Sequence, residues 1–122
     1  MKRVLVVDDS PTMRRMVISS LRKLAEVEFG EAANGLEAIE KLSLHPVSLI
    51  VLDLNMPDMH GLEVLQFVRA HTSFKEIPVI VLTTKGDEST RNAAMIAGAS
   101  RYLTKPFQPD TLLETATAAL GI

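Results

Sequence analysis

The sequence predicts a doubly wound α/β domain in which helices cover both faces of a five-stranded parallel sheet. Three short apolar runs rich in Val and Ile, at residues 4–7, 49–52 and 79–82, have no polar alternation. Such runs are typical of strands that are buried on both faces. Segments with helical spacing lie between them, and strand and helix alternate five times without a linker. This alternation indicates a parallel sheet with right-handed crossovers.

Two weaker strands complete the predicted sheet. Residues 27–29 alternate polar and apolar side chains, as expected for an edge strand, and residues 100–104 form the fifth candidate. Capping or boundary signals mark the five helical segments: Ser10-Pro11, Asn34 with Glu37, Gly61, Asp87 with Gly98, and Pro109. The side chains expected to pack inward include Met13 and Met16 in the first helix and Leu36, Ile39 and Leu42 in the second.

Composition excludes several classes of function. The chain has 122 residues, 13 Lys and Arg, 15 Asp and Glu, and no Cys. We therefore expect one domain over residues 1–122, without a thiol nucleophile, a Cys-ligated metal or a disulfide. The near-neutral charge argues against a basic nucleic-acid groove. Because Asp8-Asp9 ends the first apolar run and no run approaches about 20 residues, we expect a soluble, cytoplasmic protein.

Polar side chains follow the predicted strands at the points where the strands end. Asp8-Asp9 follow the first strand, Asp53 and Asn55 the third, Thr83 the fourth and Lys105 the fifth. In open α/β sheets, ligands bind beyond these carboxyl ends. Clustered carboxylates repel one another unless a cation lies among them or a pKa rises. Besides Lys105, Mg²⁺ is the cation expected for an all-oxygen ligand set.

One acid of this cluster could act as a nucleophile. An Asp carboxylate can form an aspartyl-phosphate, with Mg²⁺ and Lys neutralising the charge on the phosphoryl oxygens. Asp53, at the end of the central strand, suits this role best. The alternative for each acid taken singly is a turn or helix-capping residue. His45, His60 and His71 lie outside the set, which disfavours a softer metal.

Four motifs together resemble a known family. They are Asp8-Asp9, the run from Leu52 to Asp58 with Gly61, Thr83, and Lys105-Pro106-Phe107. Thr83 follows Asp53 by 30 residues and Lys105 follows it by 52. In order and spacing the set resembles the receiver domain of bacterial response regulators, in particular the single-domain CheY-like type. The resemblance covers residues 3–120 and implies a flavodoxin-like (βα)5 fold with strand order 2-1-3-4-5.

The resemblance implies a role for each strand-end residue. Asp53 is the implied phosphoacceptor, and its donor is a phosphohistidine on a sensor histidine kinase or phosphotransfer protein. The implied ligands of Mg²⁺ are Asp8, Asp9, Asp53 and the backbone carbonyl of Asn55, and the implied ligands of the phosphoryl oxygens are Thr83 and Lys105. The implied function is a phosphorylation-activated switch in chemotaxis or a phosphorelay, with no catalysis beyond its own phosphorylation and dephosphorylation.

Tyr102 occupies the family's switch-aromatic position. The resemblance implies that the Thr83 hydroxyl moves toward the phosphoryl group and that the Tyr102 ring turns into the vacated space. This movement reshapes the face of the fourth helix, fifth strand and fifth helix, to which an effector protein binds. Lys105–Pro106 is a candidate cis peptide bond, since X–Pro bonds adopt this form at modest cost. We expect a monomer, leave dimerisation on phosphorylation open, and expect neither nucleic acid nor membrane as a direct partner.

Two positions depart from the common family pattern. Thr84 stands where a small residue is usual, and Lys85 stands where an acidic or neutral residue is common. We expect the β-branched Thr84 to restrict access to the phosphoryl group, and so to slow both phosphorylation by small donors and self-hydrolysis. Lys85 is a second candidate modulator of access.

The start of the chain is basic. Its first 23 residues contain six basic residues, among them Arg14 and Arg15, against only Asp8 and Asp9. One interpretation is a solvated basic face of the first helix. The other is that Arg14 and Arg15 help to dock an acidic kinase or phosphotransfer domain, mainly by raising the association rate.

Other functions remain open at this stage. The chain could be a receiver cut from a longer response regulator or hybrid kinase. A Mg²⁺-dependent phosphatase with an Asp nucleophile needs a second acid two residues after the first, where this chain has Asn55. A flavodoxin-type cofactor binder needs a phosphate loop after the first strand, where Asp8-Asp9 would repel phosphate.

Overall fold

Strand and helix alternate along the chain, as the sequence predicts. The computed structural model describes residues 1–56, 61–84 and 86–122, so Pro57, Asp58, His60 and Lys85 lie outside the described residues. The elements are β1 (Lys2–Val7), α1 (Pro11–Leu21), β2 (Val27–Ala32), α2 (Gly35–Leu44), β3 (Leu49–Leu52), α3 (Gly61–Ala70), β4 (Val79–Thr83), α4 (Glu88–Ala97), β5 (Arg101–Thr104) and α5 (Pro109–Leu120). No helix within the described ranges has both the length and the apolar character needed to cross a membrane.

The five strands form one sheet in the order β2-β1-β3-β4-β5, and every pair is parallel. This confirms the predicted fold class and strand order. All residues of β3 and β4 are buried, whereas the edge strands β2 and β5 keep exposed positions. The difference explains why the central strands are continuous apolar runs and the edge strands are not.

Helices cover both faces of the sheet. Leu5 and Val7 of β1 pack in a core with buried side chains of α2, α3 and α4. Val4 and Val6 point to the opposite face and pack with buried side chains of α1 and α5. This division follows from the alternation of side chains along a strand.

The predicted helix boundaries are confirmed at their caps. Ser10 Oγ accepts a hydrogen bond from the Met13 N–H at 3.2 Å, and Asn34 Oδ1 accepts one from the Glu37 N–H at 2.9 Å. Glu37 Oε1 accepts from the backbone N–H one residue before Asn34, rather than from Asn34 itself. Gly98 ends α4 with φ 110°, a left-handed conformation that favours glycine.

Two side chains expected in the core are exposed instead. Met16 on α1 is 49% exposed, and Leu36 on α2 is 61% exposed. The buried stripe of α1 contains Val17, Ile18 and Leu21, while α2 buries Ala38 and Leu42. Spacing alone predicts that a helix has an apolar stripe, but the crossing position of the helix on the sheet decides which side chains are covered.

Gly61 has a more specific role than the turn residue that its type indicates. Its N–H donates a hydrogen bond to the Leu54 carbonyl at 3.1 Å. A Cβ at this position would clash with the backbone of Asp53 and Leu54. The absence of a side chain therefore allows α3 to start directly against the chain that follows β3.

Candidate functional site

The parallel register brings the ends of β1 and β3 together. Val7 is paired with Leu52, so the acids that follow these two residues are neighbours. The Asp53 N–H donates to the Val7 carbonyl at 2.9 Å, and the Asp8 N–H donates to the Ala32 carbonyl at 3.0 Å. The strand hydrogen bonding therefore continues into the backbone N–H of both acids.

Three carboxylates meet at this edge, as the sequence predicts. Oxygens of Asp8, Asp9 and Asp53 lie within 4.8 Å of one another. Asp8 and Asp53 are almost fully buried, whereas Asp9 is exposed to solvent. Among the described residues this is the only group of three or more His, Cys, Asp or Glu side chains close enough to share a metal ion, and it contains no histidine. Its all-carboxylate composition fits a hard divalent cation such as Mg²⁺.

Lys105 is the cation that the structure places against these acids. Its Nζ lies 2.7 Å from Asp8 Oδ2 and 3.6 Å from Asp53 Oδ2, and its side chain is only 11% exposed. The Lys105 N–H donates to the Thr83 carbonyl at 2.9 Å, which extends the pairing of β4 with β5. The Lys105–Pro106 peptide bond is cis, as expected.

Asp53 is poorly stabilised as an anion. Burial raises the pKa of its carboxyl, and the charge of Asp8 raises it further. Three contacts act in the opposite direction: the Asn55 N–H donates to Asp53 Oδ1 at 3.2 Å, Lys105 attracts the charge, and the Thr83 side chain donates a hydrogen bond. The net effect is a pKa above the ordinary value, because one ammonium does not compensate for burial beside a second carboxylate.

The two threonines at the end of β4 face different environments. Thr83 is completely buried and its side chain reaches Asp53, whereas Thr84 is exposed. Asn55 is also exposed. Each of the buried residues Asp8, Asp53 and Thr83 therefore has an exposed residue next to it or two positions along the chain: Asp9, Asn55 and Thr84.

Tyr102 lies on β5, paired with Val81 of β4. Its ring packs partly buried against the core formed with α2, α3 and α4. Within the described residues its hydroxyl is buried and has no hydrogen-bond partner. Burial raises the pKa of this phenol, and the nearby Asp87 adds to the effect while Arg91 opposes it.

Arg14 and Arg15, which one of the two interpretations of the basic segment pairs in docking, lie in different environments. The Arg14 side chain is 15% exposed; its Nε binds Glu31 Oε1 at 2.9 Å and its Nη1 donates to the Asp8 carbonyl at 2.7 Å. The Arg14 guanidinium is thus already bound within the fold, whereas docking of a partner by either arginine stays a prediction. Arg15 is exposed and lines a groove between α1 and the start of α5 with Met16 and Phe107.

Sequence reasoning missed two supports of the acidic cluster. Ser10 was identified as a helix cap, yet its N–H also donates to Asp8 Oδ1 at 2.9 Å. Arg14 was identified as a surface cation, although its place in the first turn of a helix was a signal. A helix N-terminus disfavours positive charge, so an arginine there calls for a compensating partner.

The pKa of Asp53 generates a prediction for stability. In Mg²⁺-free buffer at about pH 7, Asp53→Asn will raise the free energy of unfolding, because it removes a carboxylate that is costly to ionise in the folded protein. Each unit by which the folded pKa exceeds the unfolded value corresponds to about 1.4 kcal/mol. The gain grows as pH rises from the unfolded pKa to the folded pKa, is complete above the folded pKa, and vanishes below the unfolded pKa, where both states are protonated.

Denaturant unfolding of both proteins from about pH 3 to pH 8 measures this difference. Asp110→Asn is the matched control, since Asp110 is exposed in the first turn of α5 and should not be stabilised by the change. A lower stability of Asp53→Asn at neutral pH without Mg²⁺ would contradict the account.

Comparison with known proteins agrees with this geometry. The family model "Response regulator receiver domain" matches residues 4–117. The chemotaxis protein CheY1 of Helicobacter pylori is 42% identical over 120 residues, which cover 98% of this chain and 97% of that protein.

Solved structures show the same architecture. Chemotaxis protein CheY4 of Vibrio cholerae has a TM-score of 0.89 and 38% identity, and the match covers 98% of this chain and 99% of that one. The Mn²⁺-bound form of response regulator Rcp1 has a TM-score of 0.81 and 32% identity, covering 100% of this chain and 91% of that one. With the family match over nearly its whole length, the chain belongs to the response regulator receiver domains and is of the CheY type.

Proposed function

We propose that this receiver domain is a phosphorylation-activated switch that accepts a phosphoryl group on Asp53. The observation that carries the proposal is the environment of the Asp53 carboxylate. It is 5% exposed, contacts Lys105 and Thr83, and lies within 4.8 Å of the carboxylates of Asp8 and Asp9. Phosphorylation of Asp53 would place the phosphoryl oxygens beside Lys105 and Thr83, whose ammonium and hydroxyl groups donate hydrogen bonds to such oxygens.

Asp8, Asp9 and Asp53 are the residues that would hold Mg²⁺, with the backbone carbonyl of Asn55. The donor set fits because it is made only of oxygen and carries more negative charge than Lys105 neutralises. The similar Rcp1 protein is known in a Mn²⁺-bound form, which supports a divalent cation here. When bound, the cation supplies charge neutralisation for the phosphoryl oxygens.

The reaction is a transfer between nucleophiles. An Asp53 carboxylate oxygen attacks the phosphorus of a phosphohistidine on the donor kinase or phosphotransfer protein, a P–O bond forms, and the P–N bond breaks with its electron pair returning to the imidazole. Lys105 and Thr83 bind the transferred oxygens. Thr83 donates to the Asp53 carboxylate before transfer, so its hydroxyl has to change acceptor during the reaction.

Tyr102 provides a route from this site to the surface. Among the described residues the buried Tyr102 hydroxyl has no hydrogen-bond partner, and an unsatisfied buried hydroxyl costs about 1–3 kcal/mol, which a ring position that frees the hydroxyl would recover. Movement of Thr83 toward the phosphoryl group opens space next to β5 for the Tyr102 ring. Met95 and Ile96 of α4 are 42% and 87% exposed, and this apolar surface suits an effector protein on the face of α4, β5 and α5.

The phosphodonor would dock beside the acids. The groove lined by Thr12, Arg15, Met16, Phe107 and Pro109 opens between α1 and α5, and α1 begins directly after the acidic loop. Its exposed methionine offers apolar contact, and Arg15 offers positive charge to an acidic partner. The named chemotaxis relatives favour a chemotaxis output over another phosphorelay.

Intact-protein mass spectrometry after incubation with acetyl phosphate and Mg²⁺ tests the proposal. We expect the protein to gain the mass of one phosphoryl group, and Asp53→Asn to gain none. Asp110→Asn is the matched control and should be modified like the wild type, because Asp110 is exposed on α5. Rapid multiple turnover of a phosphate ester without a stable mass gain would instead favour the phosphatase function.

Thr84 generates a kinetic prediction, because it is exposed beside the site while Thr83 is buried. Thr84→Ala should accelerate both phosphorylation by acetyl phosphate and loss of the phosphoryl group by more than about twofold, which is a change of about 0.4 kcal/mol in each barrier. Time courses of intact mass measure both rates. Thr72→Ala is the control, since Thr72 is exposed between α3 and β4, at the end of the strands away from the acids. Unchanged rates in Thr84→Ala would show that Thr84 does not restrict access to Asp53.

A further inference from the structure

Arg14 occupies a position that is electrostatically unfavourable for a cation. It lies in the first turn of α1, where the helix dipole repels positive charge. Its side chain is nevertheless 15% exposed and bound at both ends of the guanidinium. Nε contacts Glu31 Oε1 at 2.9 Å and Nη1 donates to the Asp8 carbonyl oxygen at 2.7 Å.

The carbonyl that Arg14 holds belongs to the peptide bond between Asp8 and Asp9. The rest of Asp8 is fixed independently, through its N–H to Ala32, its Oδ1 to Ser10 and its Oδ2 to Lys105. The carboxylate of Asp9 has no hydrogen bond or ion pair to any described residue of the chain, and it is exposed. Because a peptide unit is planar, a contact that fixes the Asp8 carbonyl also fixes the positions of the Asp9 nitrogen and Cα, from which the Asp9 side chain extends.

We propose that Arg14, held by Glu31, is a positioning residue for the divalent-cation site formed by Asp8, Asp9 and Asp53. This inference rests on the proposed function, since it presumes that the acids bind Mg²⁺. Glu31 belongs to the edge strand β2, so the contact connects three elements: β2, the loop after β1, and α1. The arrangement resembles the outer contacts that orient metal ligands in other proteins, whose loss typically weakens metal binding by about 10–100-fold.

Positioning and simple charge make opposite predictions. If Arg14 acted only as a positive charge near the acids, its removal would make the site more negative and Mg²⁺ would bind more tightly. A lysine at this position would then leave the affinity unchanged. If Arg14 positions the peptide bond, both changes weaken binding, because neither glutamine nor lysine can reach Glu31 and the Asp8 carbonyl with the two fixed ends of a guanidinium.

Isothermal titration calorimetry with MgCl2 on the unphosphorylated proteins distinguishes the two roles. We expect Arg14→Gln and Arg14→Lys each to raise the Kd for Mg²⁺ about tenfold. Arg3→Gln is the matched control, because Arg3 of β1 also pairs with a glutamate of β2, Glu28, at 3.1 Å, is similarly buried at 17% exposure, and lies at the end of β1 away from the acids. Its Kd should remain that of the wild type.

Several outcomes would overturn the inference. They are an unchanged or lower Kd in Arg14→Gln, wild-type affinity in Arg14→Lys, or an equal loss in Arg3→Gln, which would indicate a general loosening of the edge. Thermal unfolding establishes that each variant is folded at the titration temperature; if Arg14→Gln is not, Arg14→Lys decides alone. A wild-type protein that binds no Mg²⁺ would instead refute the metal site of the proposed function.

A second readout is independent of the metal. In cation-free protein, the backbone amide resonance of Asp9 should shift in Arg14→Lys and Arg14→Gln, since its peptide bond loses the guanidinium contact. Arg3→Gln should leave this resonance in place. An Asp9 amide that does not respond to either Arg14 variant would also contradict the positioning role.

Discussion

The contact between Lys105 and two acids is the interaction on which the rest of the site depends. Its Nζ binds Asp8 at 2.7 Å and lies farther from Asp53, at 3.6 Å. One ammonium therefore contacts two of the three clustered carboxylates, and its contact with Asp53 is the longer one. Burial of Asp53 beside Asp8 raises the pKa of its carboxyl, because Lys105 supplies too little positive charge to compensate.

The incompletely neutralised charge of Asp53 is transmitted to the sheet through Thr83. Thr83 is completely buried at the end of β4 and donates to Asp53, so a change of charge at Asp53 acts directly on the central sheet. Tyr102 lies across the same strand pair, with a buried hydroxyl that lacks a partner among the described residues. In the proposed switch, both Thr83 and Tyr102 would therefore gain better contacts in a second position. This is typical of a two-state element and not of a rigid core.

Much of this architecture could be predicted from the sequence because strand burial leaves a direct signature. Residues 49–52 and 79–82 are apolar without alternation since both faces of their strands are covered, and the polar residues that follow must then meet at one edge. Met16 and Leu36 were mispredicted because periodicity does not specify which stripe a neighbouring element covers. The contacts of Arg14 with Glu31 and of Gly61 with Asp53 depend on tertiary distances that no local pattern encodes.

The positive charge of Lys105 does not fully neutralise the ionised Asp53 carboxylate, and the pKa of this carboxyl measures the imbalance directly. Carboxyl-carbon NMR titration in Mg²⁺-free buffer, assigned by the signal lost in Asp53→Asn, should give a midpoint above the ordinary value of 3.8. Added Mg²⁺ should move that midpoint down, because a bound cation favours the ionised form. A midpoint at or below the ordinary value that does not respond to Mg²⁺ would contradict the account.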